Sequence, residues 1–147
     1  MARPEKHRIV FIPPIFTEFK PTGIAGRMLE TEEMSLDEFE ALRLADYENM
    51  SHSEAALEME ISRSTFTRLI EKARKKLISF LIHGKKLIIE GGKIHFKNNI
   101  IKCNDCGNMF NVNISQPLTK CPSCNSENLY NLAGGFGHGD CCVISHK

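Results

Sequence analysis

Apolar residues recur at helical spacing in the middle of the chain, most regularly between Phe66 and Leu81. Their intervals are mostly three and four residues, which is the period of one face of an α-helix. Ser62 stands before this segment as a candidate N-cap, and Gly84 follows it as a candidate helix end. The pattern therefore predicts a long amphipathic helix over 63–82.

Two shorter helices are predicted before this one. Ser35 and Ser51 are each followed three residues later by glutamate, the capping-box pattern in which serine and glutamate satisfy each other's backbone N–H groups. These signals predict helices over 36–49 and 53–60. The apolar stripe of the first helix comprises Leu36, Phe39, Leu42, Leu44 and Tyr47.

Alternating and β-branched apolar residues predict a few short strands. Residues 9–12 are expected to form one, which ends at two prolines. Apolar runs on both sides of Gly91 and Gly92 predict a β-hairpin over 86–96, because glycine accepts the positive φ angles of a tight turn. The expected fold class is mainly α, with this short β-hairpin and a separate small β module.

The three predicted helices have the proportions of a helix-turn-helix domain. Ala56 is small enough for a close helix crossing, and Ile61 can fill the corner beneath the turn. With the apolar face turned inward, the outer face of helix 63–82 carries hydroxyl groups near its start and cations further along. This order suits a recognition helix, whose first turns meet base edges in the major groove.

Particular residues of this face are assigned to DNA. Ser64, Thr65, Thr67 and Arg68 are expected at bases, and the flanking cations at phosphates. The phosphate-contacting candidates are Arg63, Lys72, Lys75 and Lys76. The alternative is a three-helix bundle with a solvated basic helix.

Charge is segregated along the chain, although the net charge is only +1. Residues 30–60 contain eleven acids and one base, Arg43, whereas residues 61–86 contain eight bases and one acid, Glu71. A basic helix beside an acidic block favours one face for an anionic partner. The alternative is two solvated faces with intramolecular pairing.

All six cysteines lie after residue 102. The first four form two C-x-x-C pairs, a pattern typical of tetrahedral zinc ribbons. The expected ligands of one structural Zn²⁺ are Cys103, Cys106, Cys121 and Cys124. Iron and a redox disulfide pair are the alternatives. So short a region has few apolar residues and would need the metal to fold.

The last fifteen residues are rich in glycine, histidine and cysteine. They are interpreted as a flexible tail or, alternatively, as a labile metal or redox site. The residues of that second site would be His138, Cys141, Cys142 and His146. The chain is thus divided into an extended arm (1–28), a helix-turn-helix domain with the hairpin (29–98), a zinc ribbon (99–132) and the tail (133–147).

The segment from Leu36 to Leu77 resembles region four of bacterial sigma factors, which reads the −35 promoter element. Residues 2–95 more closely resemble a prokaryotic family known as domain of unknown function 134. The shared motifs are LDEFEALRLAD from Leu36, SRSTFTR from Ser62, ARKKL from Ala73, and Ile89 to Gly92. The resemblance implies a DNA-binding protein. Glu60 departs from the glycine usual in such turns, and Asn49-Met50 replaces Gly-Leu.

These observations predict a sequence-specific regulator of transcription that binds double-stranded DNA. RNA polymerase or another protein is a further candidate partner, and a homodimer is compatible with the sequence. The alternatives are a zinc-ribbon interaction module and a metal- or redox-responsive protein without DNA binding. No HExxH motif, P-loop or catalytic triad argues for an enzyme, and no signal peptide or membrane span is indicated, so a cytoplasmic protein is expected.

Overall fold

The protein is described here by a computed structural model that covers residues 7–97, 99–112 and 119–132. These residues fall into two compact units. The first contains residues up to Val10 and from Pro14 to Ile94, and the second contains Phe11–Pro13 and the residues from His95 onward. Among the described helices, none combines the length and apolar content that a bilayer crossing requires.

The first unit contains three α-helices and most of five short strands. The helices are α1 (Leu36–Leu42), α2 (His52–Met59) and α3 (Arg63–His83). The strands are β1 (Arg8–Val10), β2 (Glu18–Phe19), β3 (Thr31–Met34), β4 (Lys86–Ile89) and β5 (Ile94–Phe96). A 3₁₀ turn occupies Gly26–Met28, and a π-helical segment, Arg43–Tyr47, continues α1.

The helices begin where the capping signals predict. Ser35 Oγ accepts a hydrogen bond from the Glu38 N–H, and the glutamate carboxylate accepts one in return from the Ser35 N–H. Ser51 and Glu54 form the same reciprocal pair at the start of α2. Each pair satisfies two N–H groups that an uncapped helix leaves without partners. The predicted helix 36–49 is therefore present as α1 and the π-helical segment.

The helices share one core, although Tyr47 of the predicted stripe of the first helix is 79% exposed and does not belong to it. Its buried members are Ala41, Leu44, Ala55, Ala56, Met59, Phe66, Leu69 and Ile70. Ile61 packs against this core from the turn between α2 and α3, as predicted. The stripe of α3 is fully buried only as far as Ala73, because Leu77 is half-buried and Leu81, the last residue of the stripe, is 64% exposed.

The predicted β-hairpin is wrong, although both of its strands are present. β4 pairs antiparallel with β2 on one side and parallel with β3 on the other. Both edges of β4 are therefore occupied, and β5 cannot pair with it. β5 begins next to β1, where the Arg8 N–H donates to the Lys93 carbonyl at 3.0 Å. Gly91 and Gly92 do have the expected positive φ angles, 75° and 102°.

The expectation of a mainly α fold is also wrong. Of the described residues, 37% are helical and 23% are in strands, which are arranged in three small sheets. The pattern does not predict β2 and β3 because these strands are only two and four residues long and each contains a single apolar residue, so no apolar alternation marks them. Pairing with β4, rather than local propensity, makes them strands.

The second unit contains a three-stranded antiparallel sheet. Its strands are β6 (Asn99–Cys103), β7 (Met109–Val112) and β8 (Leu129–Asn131), with β6 in the centre. Ile101 lies opposite Phe110 on β7 and Asn131 on β8. The sheet brings the two C-x-x-C segments next to each other, because Cys103 ends β6 and Cys124 shortly precedes β8.

Candidate functional site

The first candidate site lies on α3, which follows α2 after a turn of only three residues. Glu60 ends α2 in the left-handed conformation, with φ 55° and ψ 45°. The Ile61 N–H donates to the Ala56 carbonyl at 3.0 Å, which closes the turn. Ser62 then caps α3 by accepting the Thr65 N–H at 3.2 Å. Two consecutive caps thus fix the angle at which α3 leaves α2.

The first turns of α3 present polar residues on one side and the core on the other. Arg63, Ser64 and Arg68 are exposed, whereas Phe66 is fully buried. Thr65 is half-buried and its hydroxyl accepts from Ser62 Oγ at 2.7 Å. The predicted inward and outward positions of these turns are therefore observed, while the DNA contacts assigned to them stay a prediction.

Two of the assigned residues have partners within the protein. Thr67 Oγ1 lies 2.9 Å from His52 Nδ1, whose ring also packs edge-on against Phe66. Lys76 Nζ donates to Glu38 Oε1 at 2.7 Å. These contacts give Thr67 and Lys76 roles in joining α3 to α2 and α1, in addition to the DNA contacts predicted for them.

Part of the acidic block is also used inside the protein. Asp37, Glu38 and Glu40 are buried, and they pair with Arg8, Lys76 and Arg43 respectively. Asp46 forms an exposed pair with Arg74, and the hydrogen bond from the guanidinium holds the pKa of Asp46 below its ordinary value of 3.8. Intramolecular pairing, the alternative interpretation of the charge pattern, thus accounts for several acids.

Four cations of α3 remain without such partners. Within the part of the chain that the structure describes, no carboxylate forms an ion pair with Arg63, Arg68, Lys72 or Lys75. All four are exposed and follow one another along the helix. This unneutralised charge can attract an anion.

The second candidate site is built from two loops of the same conformation in the second unit. In the first loop the Gly107 N–H donates to the Cys103 carbonyl at 2.9 Å; in the second, the Asn125 N–H donates to the Cys121 carbonyl at 2.8 Å. Gly107 and Asn125 both have positive φ angles, 78° and 61°. Glycine and asparagine are the residues that adopt this conformation most readily.

These loops bring the four sulfur atoms together. Cys103 Sγ lies 3.6 Å from Cys124 Sγ, and Cys106 Sγ lies 3.6 Å from Cys121 Sγ. All four sulfur atoms lie within 4.8 Å of one another, and none forms a disulfide. Sulfur atoms bound tetrahedrally at about 2.3 Å from one metal ion would be about 3.8 Å apart. The four cysteines therefore fit a metal ion and could hold one.

Backbone N–H groups around this cluster favour thiolates at two positions. The Cys106 N–H donates to Cys103 Sγ at 3.5 Å and lowers the pKa of Cys103 to about 7. Burial acts against the thiolate of Cys121, but the N–H groups of Cys124 and Ser123 lower its pKa. Thiolates are the form of cysteine that binds metal ions.

The remaining two cysteines respond to the sulfur atoms beside them. The Ser126 N–H favours the thiolate of Cys124, but burial and the neighbouring sulfur atoms outweigh it and raise the pKa to about 12. The pKa of Cys106 is likewise raised, despite the Asn108 N–H at its sulfur. Four adjacent thiols cannot all ionise unless a cation lies among them. A divalent metal ion would supply that positive charge and stabilise all four thiolates.

Polar side chains link the two loops, and the sequence did not reveal them. Asn108 Nδ2 donates to Ser123 Oγ at 3.0 Å, and Asn104 Nδ2 donates to Asn128 Oδ1 at 3.2 Å. Ser126 Oγ donates to Asp105, which joins the loops a third time. The only sequence signal was the density of asparagine and serine around the C-x-x-C pairs. The proposed tail site at His138, Cys141, Cys142 and His146 lies outside the described residues.

Comparison with known proteins identifies relatives along most of the chain. A UPF0251 protein of Chloroherpeton thalassium is 46% identical over 132 residues, which are 90% of this chain and 87% of the relative. A UPF0251 protein of Chlorobaculum tepidum is 41% identical over 95% of this chain and 73% of its own length. A UPF0251 protein of Clostridium novyi is 40% identical over 88% of this chain and 88% of its own length. No solved structure matches the chain.

A family model covers the first unit and the residues just beyond it. Its description is "Protein of unknown function DUF134", and it matches residues 1–97. The match includes α1, α2 and α3 and ends before the four clustered cysteines. The chain therefore belongs to the DUF134 family, as its sequence motifs predicted, and is similar to the UPF0251 proteins along most of its length.

Proposed function

We propose that this protein binds double-stranded DNA in a sequence-dependent manner and acts as a regulator of transcription. α2 and α3 would form a helix-turn-helix of the kind found in sigma region four, with α3 in the major groove. The observation that carries the proposal is the outer face of α3, where exposed hydroxyl and guanidinium groups precede Lys72 and Lys75, which form no ion pair with a carboxylate of the described residues. A recognition helix requires this order of groups.

The contacts divide between bases and phosphates. Ser64 and Arg68 have exposed side chains in the first two turns and are assigned to base edges, with Thr65 and Thr67 beside them. Arg63, Lys72 and Lys75 are assigned to phosphates, which position the helix without reading sequence. Lys76 contributes less to DNA binding than the other cations, because Glu38 holds its ammonium group.

Salt titration tests the electrostatic part of this proposal. The preferred duplex would first be selected from a random library and then measured against a scrambled duplex by fluorescence anisotropy. Three phosphate contacts per chain predict a log–log salt slope of about −3, since each contact contributes about −0.9. Equal affinity for both duplexes at every salt concentration would exclude specific recognition and favour the protein-interaction alternative.

Arg68→Ala tests the base contact. If the guanidinium binds a guanine in bidentate fashion, its loss is expected to cost about 1–3 kcal/mol at the preferred site. Arg27→Ala is the matched control, because Arg27 is an exposed arginine of the first unit that lies outside α3. An equal loss of affinity in the two variants would show that Arg68 contributes only general charge.

We also propose that Cys103, Cys106, Cys121 and Cys124 bind one structural Zn²⁺, which would make the second unit a zinc ribbon. Four thiolates suit zinc, and a closed shell of four protein ligands leaves no open position for catalysis. Purified protein is expected to contain one zinc ion per chain by elemental analysis. Iron would instead give a coloured protein and contradict the assignment.

Two cysteine variants localise the metal. Cys106→Ser is expected to lose the zinc, because it removes one of the four clustered sulfur atoms. Cys142→Ser is the matched control, because this cysteine is not among the four clustered ones, and it should retain one zinc ion per chain. Loss of zinc from the control, or retention of zinc in Cys106→Ser, would contradict the proposed ligand set.

A further inference from the structure

The first unit contains an apolar cavity of about 500 Å³ that neither proposed function uses. Its floor is the sheet formed by β2, β4 and β3, from which the buried side chains of Met34, Leu87 and Ile89 line it. The cavity therefore lies between the sheet and the helices, away from the outer face of the first turns of α3.

Two helices form the walls of this cavity. α1 contributes Phe39 and Leu42, and the C-terminal half of α3 contributes Leu77 and Phe80. Ligand sites for small molecules have volumes of about 300–1,000 Å³ and are mostly apolar, with a few polar groups at defined positions. Both the size and the lining of this cavity fall within that description.

The charged groups at the cavity are already neutralised. Among the described residues of its lining, Arg43 and Asp46 are the only charged ones. The Arg43 guanidinium pairs with Glu40 and lies 3.5 Å from the Glu48 carboxylate. Asp46 accepts hydrogen bonds from Arg74 at 2.6 and 3.1 Å. A charged ligand would have to displace one of these partners, whereas a neutral ligand would not.

The most exposed apolar residues of α3 lie outside this cavity. Ile78, Leu81 and Ile82 are 51%, 64% and 70% exposed, and none of them lines it. A protein partner covering this side of α3 would be expected to bury them, whereas a small molecule in the cavity would leave them exposed. The volume of the cavity, its apolar lining and the internal pairing of Arg43 and Asp46 favour a neutral small molecule as its occupant.

We propose that this cavity is a binding site for a neutral, largely apolar small molecule. The molecule would be held by burial of its surface against Met34, Leu77 and Phe80. Since α3 provides both a wall of this site and the predicted DNA-binding face, the ligand would also act on the helix assigned to DNA. The binding itself does not depend on the proposed DNA-binding function.

Titration with N-phenyl-1-naphthylamine, a neutral apolar dye, tests the site. The full chain is expected to bind one dye per chain with a saturable rise in fluorescence. Leu77→Trp and Leu42→Trp fill the cavity from α3 and α1 respectively and should each weaken binding at least tenfold. Leu81→Trp is the matched control on α3, because Leu81 lies one turn further along and outside the cavity.

Each result decides the proposal. Loss of binding in the two cavity variants, with retention in Leu81→Trp and unchanged circular dichroism, supports it. The absence of saturable binding, or equal binding in all variants, overturns it. Sedimentation velocity provides a further test: a dimer that Leu77→Trp converts to a monomer would assign the surface to a second copy of the chain and overturn the proposal.

Discussion

Three residues other than glycine have left-handed backbone conformations among the residues described, and each ends a local element. Asn49 follows the π-helical segment, Glu60 follows α2, and Asn125 follows the second cysteine loop. Asparagine adopts this conformation several times more often than most residues, whereas glutamate has no such preference. Glu60 therefore carries a local conformational cost that the two asparagines largely avoid.

Glu60→Gly is expected to stabilise the protein by about 1 kcal/mol, because glycine adopts the left-handed conformation without the steric cost of a Cβ atom. Glu58→Gly is the matched control, since this exposed residue lies within α2 and its replacement should destabilise by up to about 1 kcal/mol. Urea denaturation of the two variants gives both values. Destabilisation by Glu60→Gly would contradict the interpretation of the turn.

The Asp46–Arg74 pair is predicted to make a small, pH-dependent contribution to stability. Because the pKa of Asp46 is lowered in the folded protein, the contribution is present above about pH 3.8 and is lost as the pH falls through the lower folded value. Asp46→Asn should therefore destabilise by less than about 1 kcal/mol at pH 7, as is usual for exposed pairs. The difference from wild type should disappear in strong acid, which denaturation at several pH values would reveal.

At the scale of elements, α1 is joined to α3 by an ion pair that is also part of a helix cap. Glu38 closes the capping box of α1 and accepts from Lys76 of α3 at 2.7 Å. The carboxylate is only 3% exposed, and the lysine is 24% exposed. A buried carboxylate depends strongly on its partner, because its loss leaves an uncompensated charge away from water.

Lys75 and Lys76 are therefore expected to respond differently to replacement. Lys76→Met should destabilise the protein by about 3 kcal/mol, the lower end for a buried pair because the lysine remains partly exposed. Lys75→Met should change stability by less than about 0.5 kcal/mol, since Lys75 is an exposed surface residue. Its effect should instead be weaker binding of DNA and a shallower salt slope. Equal destabilisation by the two changes would contradict the stabilising role given to the Glu38–Lys76 ion pair.

At the scale of the whole molecule, the two units depend on different sources of stability. The first has an extensive apolar core shared by its helices and sheets. The described part of the second buries few apolar side chains, among them Ile100, Ile101 and Leu132. Metal binding can supply about 10–16 kcal/mol to a small domain of this kind. We therefore expect the stability of the second unit, but not that of the first, to depend on the metal ion proposed for the four cysteines.

Chelation tests this difference in the intact chain. Removing the metal, or introducing Cys106→Ser, is expected to raise amide hydrogen exchange in β6, β7 and β8 by at least tenfold. Exchange in α1, α2 and the core-facing part of α3 should stay unchanged. Persistent protection of β6 after complete removal of metal would contradict the metal dependence, and loss of protection in the helices would contradict the independence of the units.

The helix starts, the α2–α3 turn, the pairing of the cysteines in two C-x-x-C segments and the family could all be predicted from the sequence. Each of the structural signals is local: a capping box joins residues three apart, and each C-x-x-C pair lies within one short loop. Ser35, Ser51 and Ser62 could therefore be identified as caps without any knowledge of the fold.

The pairing of the strands and the partners of the charged residues depend on contacts between distant parts of the chain. Thr31 lies opposite Lys86 in the parallel pairing of β3 with β4, and no pattern within either strand specifies a partner so distant along the chain. Lys75 and Lys76 are neighbouring lysines that no sequence pattern distinguishes, yet of the two only Lys76 forms an ion pair with a buried carboxylate, that of Glu38. The cavity between the sheet and two helices is likewise formed by residues from separate elements, so it exists only once the chain has folded.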